Sequence, residues 1–272
     1  MRPSANPASQ TNQRVVRQVI NVVVLISVLI VNGLSESLPI GGNSTVQIVA
    51  RYNIYFLPAG YVFSIWGLIY AALIGFTIYQ ALPSQRDNPL VERIGWLFVL
   101  TGIGNIGWLF AFHYLQFALS EVPMLLLLAA LIAIYTRLNI GIARVSRREW
   151  WLLHFPFSLY LGWISVATIA NTTFMLFDAK WNGFGISADM WGVIMLIIGA
   201  ALAAIMVVRR GDVTFAFVVA WAFAGVLSRF NLSGPSSITT TAGILALICV
   251  VLAVGYLVTR RLTPSARTPA HA

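Results

Sequence analysis

Long apolar runs separated by short polar or charged segments dominate this chain. Runs of about 18 to 20 apolar residues can cross a hydrocarbon layer of roughly 30 Å at 1.5 Å rise per residue. The pattern predicts membrane helices over residues 17–34, 61–80, 94–112, 122–140, 150–174, 190–208, 213–230 and 239–259. Only Arg209, Arg210, Gly211 and Asp212 divide the sixth run from the seventh. The polar residues 1–13, with two prolines, and the Pro/Ser/Ala-rich residues 261–272 are expected to be cytoplasmic tails, the first disordered.

Composition agrees with that reading. The chain is 59% hydrophobic and 9% charged, whereas soluble domains carry roughly 25% charged residues. Placing the N-terminus inside puts Arg2, Arg14, Arg17, Arg86, Arg93, Arg137, Arg144, Arg147, Arg148, Arg209, Arg210, Arg260, Arg261 and Arg267 on the cytoplasmic side. Only Arg51, Lys180 and Arg229 fall outside, as the positive-inside rule requires. The net charge of +9 is therefore a signal of orientation and of attraction to anionic lipid, not a nucleic-acid footprint. Arg14 and Arg17 before an apolar run resemble the start of a signal peptide, but no small-x-small site follows, so an uncleaved first helix is expected. The expected setting is a bacterial inner (plasma) membrane, with both termini cytoplasmic.

The bilayer portion lacks the groups that pumps need. Glu36, Asp87, Glu92, Glu121, Glu149, Asp178, Asp189 and Asp212 all fall in predicted loops or at helix ends. Ion-coupled carriers usually hold an ionisable group at mid-depth, so a proton-coupled mechanism is not expected. Lys180 is the only lysine and lies outside the bundle, which excludes an intramembrane Schiff base. With Cys249 as the only cysteine, no intramolecular disulfide can form. The run Gly102-Ile103-Gly104-Asn105-Ile106-Gly107 matches a dinucleotide fingerprint by letter only, inside an apolar helix without a preceding strand. It is read as close helix packing, as are Gly67/Ala71/Gly75 and Ala216/Ala220/Ala224/Ser228. His113 and His154 are expected near opposite boundaries, too far apart to share an ion. A single axial contact from His113 to a tetrapyrrole stays open.

Three clusters carry the candidate chemistry. Phe63/Trp66/Tyr70, Asn105/Trp108/Phe112 and Tyr160/Trp163/Ala167/Asn171 each repeat at helical spacing, so each occupies one face of its helix. Counting rise from the helix ends puts the three tryptophans in one stratum, deeper than an interfacial belt. Ordinary aromatic packing would produce such clusters too. Asn105 and Asn171 favour a binding site, because an amide in hydrocarbon must find a partner on a neighbouring helix or on a ligand. Rings would stack on a flat apolar ligand and the amides and tyrosine hydroxyls would orient it.

The same residues carry a family resemblance. Pro58-Ala59-Gly60-Tyr61-Val62-Phe63-Ser64-Ile65-Trp66-Gly67-Leu68-Ile69-Tyr70 resembles the Pro-Pro-Gly-Trp-Val-Phe…Trp-x-x-x-Tyr signature of tryptophan-rich sensory proteins, the TspO/MBR translocator family. Asn105-x-x-Trp108-x-x-x-Phe112 and Tyr160-x-x-Trp163-x-x-x-Ala167-x-x-x-Asn171 are similar to that family's third- and fifth-helix motifs. The resemblance implies an all-α integral membrane helical bundle with a five-helix core over 14–178, followed here by a three-helix extension over 189–260. It also implies a site lined by Phe63, Trp66, Tyr70, Asn105, Trp108, Phe112, Tyr160, Trp163, Ala167 and Asn171, closed by the loop around 35–58, and a homodimer. The implied ligand is porphyrin, haem-like, sterol or isoprenoid, and the implied role is sensor, carrier or regulator. A membrane enzyme modifying a tetrapyrrole or carotenoid, or a small-molecule transporter, is the alternative. Ala59, Tyr61 and one residue fewer between Phe63 and Trp66 depart from the signature. That deletion turns the helix start by about 100°, so Tyr61 is not expected at the ligand.

Overall fold

A segment surrounded by lipid can satisfy its backbone hydrogen bonds only within itself, which makes the helix the local solution along each apolar run. The structure, a computed structural model, describes residues 7–38, 40–230 and 234–262. Among these it is 84% helical with no strands. Seven helices are long and apolar enough to cross a membrane, and an eighth apolar helix is shorter. The expected all-α membrane bundle is thus the fold.

In chain order the helices are α1 (Pro7–Ser37), α2 (Thr45–Arg51), α3 (Ile65–Ala81), α4 (Pro89–Ile94), α5 (Leu97–His113), α6 (Phe117–Arg137), α7 (Arg147–Glu149), α8 (Phe155–Asp178), α9 (Ala188–Arg210), α10 (Val213–Phe230) and α11 (Ser236–Leu262). Helix α7 runs through a π turn, Trp150–His154, into α8. Its start is fixed by a capping box in which Ser146 Oγ accepts from the Glu149 amide while the Glu149 carboxylate accepts from the Ser146 amide. Three boundaries differ most from the sequence expectation. Helix α1 begins at Pro7, inside the expected tail, and α11 runs to Leu262; residues 1–6 and 263–272 lie outside the described residues. Helix α6 starts at Phe117 and not at 122, because Glu121 does not end the helix: its carboxylate is held by Asn171 and Thr172 of α8.

Helix α5 packs along α6 and α6 along α8, with α1 against α3 and α5; α9, α10 and α11 form a second layer joined to the first mainly through α8 and α10. Small residues mark the closest approaches. A Cβ on Gly104 would sit 2.8–2.9 Å from Leu127 and the Pro123 carbonyl, one on Gly102 would meet Val24, and one on Gly162 would lie 3.2 Å from Val218. The glycine run of α5 therefore serves packing, as read. Gly67 does not: nothing lies within 4 Å of its missing Cβ, and with Ala71 it faces off the bundle.

An amide knot ties α1 to the end of α3. Gln18 Nε2 donates to the Gln80 carbonyl at 2.5 Å, Gln80 Nε2 returns a bond to the Gln18 carbonyl at 3.1 Å, and Asn21 Nδ2 reaches Gln80 Oε1 at 3.4 Å. All three side chains are buried. Arg14 ion-pairs with Asp87 in the α3–α4 loop and Glu92 of α4, extending the tie from α1 to the next element. Gln80→Leu leaves the buried Asn21 amide without its acceptor and removes the bond to the Gln18 main-chain carbonyl, while Gln18 Nε2 keeps the main-chain carbonyl of residue 80. The expected result is a loss of about 1–3 kcal/mol, read as a lower melting temperature in detergent, with Ser84→Ala at the exposed turn next to it unchanged.

Candidate functional site

The three sequence clusters converge. The 3-10 turn Gly60–Ser64 precedes α3 and turns Phe63 and Trp66 onto Trp163 of α8, with ring centroids 5.8 and 6.2 Å apart. Trp66 also stacks on Tyr70 at 5.3 Å and meets Tyr160 edge-on at 5.9 Å. Trp108 stacks on Phe112 at 5.0 Å. Phe63, Trp66, Trp108, Phe112, Trp163, Ala167 and Asn171 line one void, whereas Tyr70, Asn105 and Tyr160 lie one layer deeper, off its wall. That void holds only about 40 Å³, room for no more than a few waters at roughly 10–15 Å³ each. The rings face a common centre, but they fill it.

The amides are spent largely on holding helices. Asn32 Nδ2 of α1 donates to Asn105 Oδ1 at 2.8 Å, and Asn105 Nδ2 donates to the Tyr160 hydroxyl at 3.2 Å, so one chain of bonds crosses α1, α5 and α8. One layer outward, Asn171 Oδ1 accepts from Trp108 Nε1 at 2.9 Å and from Ser120 Oγ at 3.0 Å, while its Nδ2 donates to Glu121 at 2.6 Å. A carboxylate therefore reaches the cluster, although the expected boundary at Glu121 had set it apart. Two polar atoms remain without hydrogen bonds in this otherwise saturated region: Tyr70 Oη, deep in the cluster, and Trp163 Nε1, on a side chain of the void wall that is only 3% exposed.

Both histidines lie at helix ends, as expected, but both are buried. His113 is fully buried, with Nδ1 bonded to the Leu109 carbonyl at 2.8 Å and Nε2 against Thr45 Oγ1 at 3.3 Å. The carbonyl requires the proton on Nδ1, and Nε2 then accepts from the threonine; neither nitrogen is free for an axial bond. His154 is buried at the opposite end of the bundle. Among the described residues no cluster of His, Cys, Asp and Glu could hold a metal.

The segment joining α1 to α3 covers the aromatic cluster. Thr45, Val49, Leu57 and Pro58 roof the void, and Tyr52 sits edge-on against Phe117, Phe174 and Phe177. The extension secures this lid. Arg229 of α10 donates to the carbonyls of Val49, Tyr52 and Pro58 at 3.0, 2.9 and 3.5 Å. Ala59 donates to the Gly225 carbonyl at 3.0 Å, and a Cβ on Gly225 would lie 2.1 Å from Val62. Tyr61 is half exposed and packs on Trp221 with its hydroxyl bonded to Ser228, so it faces α10, away from the void.

Sequence reasoning missed Asn32, Arg229 and Asp212. Asp212 is buried in the α9–α10 turn, accepting from Tyr135 and Ser158 hydroxyls at 2.8 and 2.7 Å and from the Phe215 amide at 3.2 Å. Also missed was a larger cavity of about 960 Å³ on the far side of α8, walled by α6, α8, α9 and the lid residues Ile54, Tyr55 and Phe56. Asn32 carried a readable signal, an amide within an apolar run; the others depend on tertiary placement.

A family model described as TSPO-like protein matches residues 18–255, which takes in both the first five membrane helices and the three that follow. The chain belongs to the TSPO-like family. Neither the curated proteins nor the solved structures contain a match. Membership in the TSPO-like family marks a membrane protein of ligand-binding type. For this TSPO-like chain the lid clamp has a direct consequence. Arg229→Ala removes three bonds from a charged donor, each worth about 1.5–3 kcal/mol at most, and should raise protease cleavage or hydrogen exchange across residues 40–59 while α5 and α8 stay protected.

Proposed function

We propose that this TSPO-like protein binds a flat, hydrophobic small molecule between α3, α5 and α8, as a sensor or carrier, with porphyrin, haem-like, sterol and isoprenoid compounds as the ligand class. The observation that carries the reading is the pair of unpartnered polar atoms, Tyr70 Oη and Trp163 Nε1, among stacked rings beneath a clamped lid. An unpaired polar atom in a dry interior costs free energy, so a ligand acceptor or donor there gains what the fold leaves unsatisfied.

A small-molecule site usually offers about 300–1,000 Å³, far above the 40 Å³ present. Binding therefore requires the lid over residues 40–59 to lift and the rings to part. The closed form is then a resting state, and apparent affinity scales with the fraction of molecules that are open. Loss of the Arg229 clamp should tighten apparent binding and speed association. A fold role alone for Arg229 would predict the reverse.

Purified protein in detergent, titrated with protoporphyrin, haem, a sterol and a carotenoid while tryptophan emission is followed, tests the site. Trp163→Leu and Tyr70→Phe should each weaken a saturable quencher by about tenfold, the equivalent of one lost contact of ~1.4 kcal/mol. Tyr70→Phe should cost little thermal stability, since the Asn105 amide beside that hydroxyl is bonded to Tyr160. Quenching that does not saturate, or that ignores both substitutions, refutes the site. The enzyme alternative draws on Glu121, held against Asn171; loss of ligand absorbance with time and new products would decide for it.

We place both termini on the cytoplasmic side, on the distribution of the basic residues. We also assign a homodimer to the outward face of α3, where Gly67 and Ala71 would let a second backbone approach. Gly67→Leu should convert dimer to monomer in light scattering without loss of ligand quenching.

A further inference from the structure

The cavity of about 960 Å³ lies on the opposite side of α8 from the aromatic cluster. Residues Leu161, Ser165, Thr168 and Thr172 face it, whereas Trp163, Ala167 and Asn171 face the lid-covered void. Helix α9 leans on the first layer only near its ends. A Cβ on Gly141, in the α6–α7 loop, would lie 2.2 Å from the Arg210 carbonyl, and one on Gly192 would lie 3.0 Å from Tyr55 of the lid. Between these contacts, Met195, Ile198, Leu202 and Met206 of α9 stand back from α8, with Phe215 of α10 among the lining residues. From Trp191 to Arg210 the groove extends about 28 Å along the helix, nearly the depth of a hydrocarbon core.

Its polarity is confined to its ends. The hydroxyls along the middle are already bonded to their own helix: Ser165 to the Leu161 carbonyl at 2.8 Å, Thr168 to Ile164 at 2.7 Å and Thr173 to Ile169 at 2.8 Å. The middle thus presents apolar surface and hydroxyls whose protons are already engaged. One end carries Trp181 and Trp191, centroids 5.1 Å apart. The other carries Arg210, whose guanidinium lies over the Tyr135 ring at 5.2 Å and reaches only the Ile140 carbonyl, at 3.4 Å. Asp212 is the adjacent acid, but its oxygens already accept from Tyr135, Ser158 and the Phe215 amide, and it forms no ion pair with Arg210. Arg137 and Arg209, both exposed, add positive charge at the same end.

We propose that this groove is a binding site for one anionic glycerophospholipid of the bilayer, its phosphate on Arg210 and its acyl chains lying along α8 and α9 toward the tryptophan pair. Arg binds phosphate through a planar fork of donors, and here that fork is nearly free. Two chains fill a cavity of this size better than one, and unfilled apolar volume forfeits dispersion contacts. The groove shares lid residues Ile54, Tyr55 and Phe56 with the cover of the aromatic cluster, but the lipid assignment uses no ligand at that cluster, so either reading can fail while the other stands.

Native mass spectrometry of the full chain, delipidated and then offered phosphatidylglycerol, phosphatidylcholine or oleate, tests this. One phosphatidylglycerol should be retained, preferred over phosphatidylcholine by about fivefold, as expected for one basic residue facing an anionic headgroup. Arg210→Gln should erase that preference and Arg210→Lys should keep most of it. Thr168→Trp, which fills the groove, should abolish retention of both phospholipids; if that variant does not fold, Ser165→Phe replaces it. Equal retention of the two phospholipids by the unmodified chain overturns the proposal. So does a phosphatidylglycerol preference unchanged in Arg210→Gln, or retention of oleate in place of the phospholipids.

Discussion

Hydrocarbon offers no partner to a polar side chain, so each amide, hydroxyl or acid that enters this bundle has to meet its complement on another helix. That demand organises the molecule. Gln18, Asn21 and Gln80 lock α1 to α3 at one end, Asn32, Asn105 and Tyr160 join α1, α5 and α8 in the middle, and Ser120, Glu121, Asn171 and Thr172 join α6 to α8 beyond. Leucine and valine fill the volume but give little registry, since lipid tails are as apolar as they are. A few polar bonds set which turn of one helix faces which turn of the next. Among the described residues a few buried polar atoms lack such a bond, Asn21 Oδ1, Thr77 Oγ1 and His154 Nε2 among them; Tyr70 Oη and Trp163 Nε1 are the two that lie within the aromatic cluster.

Membrane helices were legible because their signal is composition over a full span, and that signal does not depend on tertiary contacts. Boundaries failed where a charge lay inside a helix. Glu121 reads as a loop residue by hydropathy, yet Asn171 and Thr172 make its place in α6 tenable. The convergence of Trp66, Trp108 and Trp163 was also legible, from helical phase and depth, and the family motifs pointed to the same faces. What sequence could not supply was the size of the space between them, which depends on how far three helices approach. The role of Arg229 was hidden for a similar reason. At the end of an apolar run it counts as an outer-loop charge, and nothing local reveals that its three acceptors lie some 170 residues earlier.

The last three helices are part of the working body of the protein. Helix α10 holds the lid through Arg229, Gly225 and Trp221, whose Nε1 donates to the Val62 carbonyl at 3.1 Å. Helix α9 stands off from α8 and shapes the lateral groove. A lid tethered to a neighbouring helix opens only if that helix yields or the tether breaks. Events on the second layer can thereby reach a cluster that the second layer barely touches.

Helix α5 is shorter than its neighbours, at 17 residues. At 1.5 Å per residue it measures about 26 Å against a hydrocarbon core of roughly 30 Å. Trp96 and Tyr114 flank it, 52% and 59% exposed, as aromatic anchors at the two water–lipid boundaries. The deficit cannot be absorbed by tilting, which only shortens a helix's projection further. A span this short is matched by local thinning of the leaflets, by flanking side chains that reach to the interface, or by association with another short flank, each at a modest cost for each ångström. Helix α5 is thus the side of the bundle at which bilayer thickness has its strongest grip on the protein.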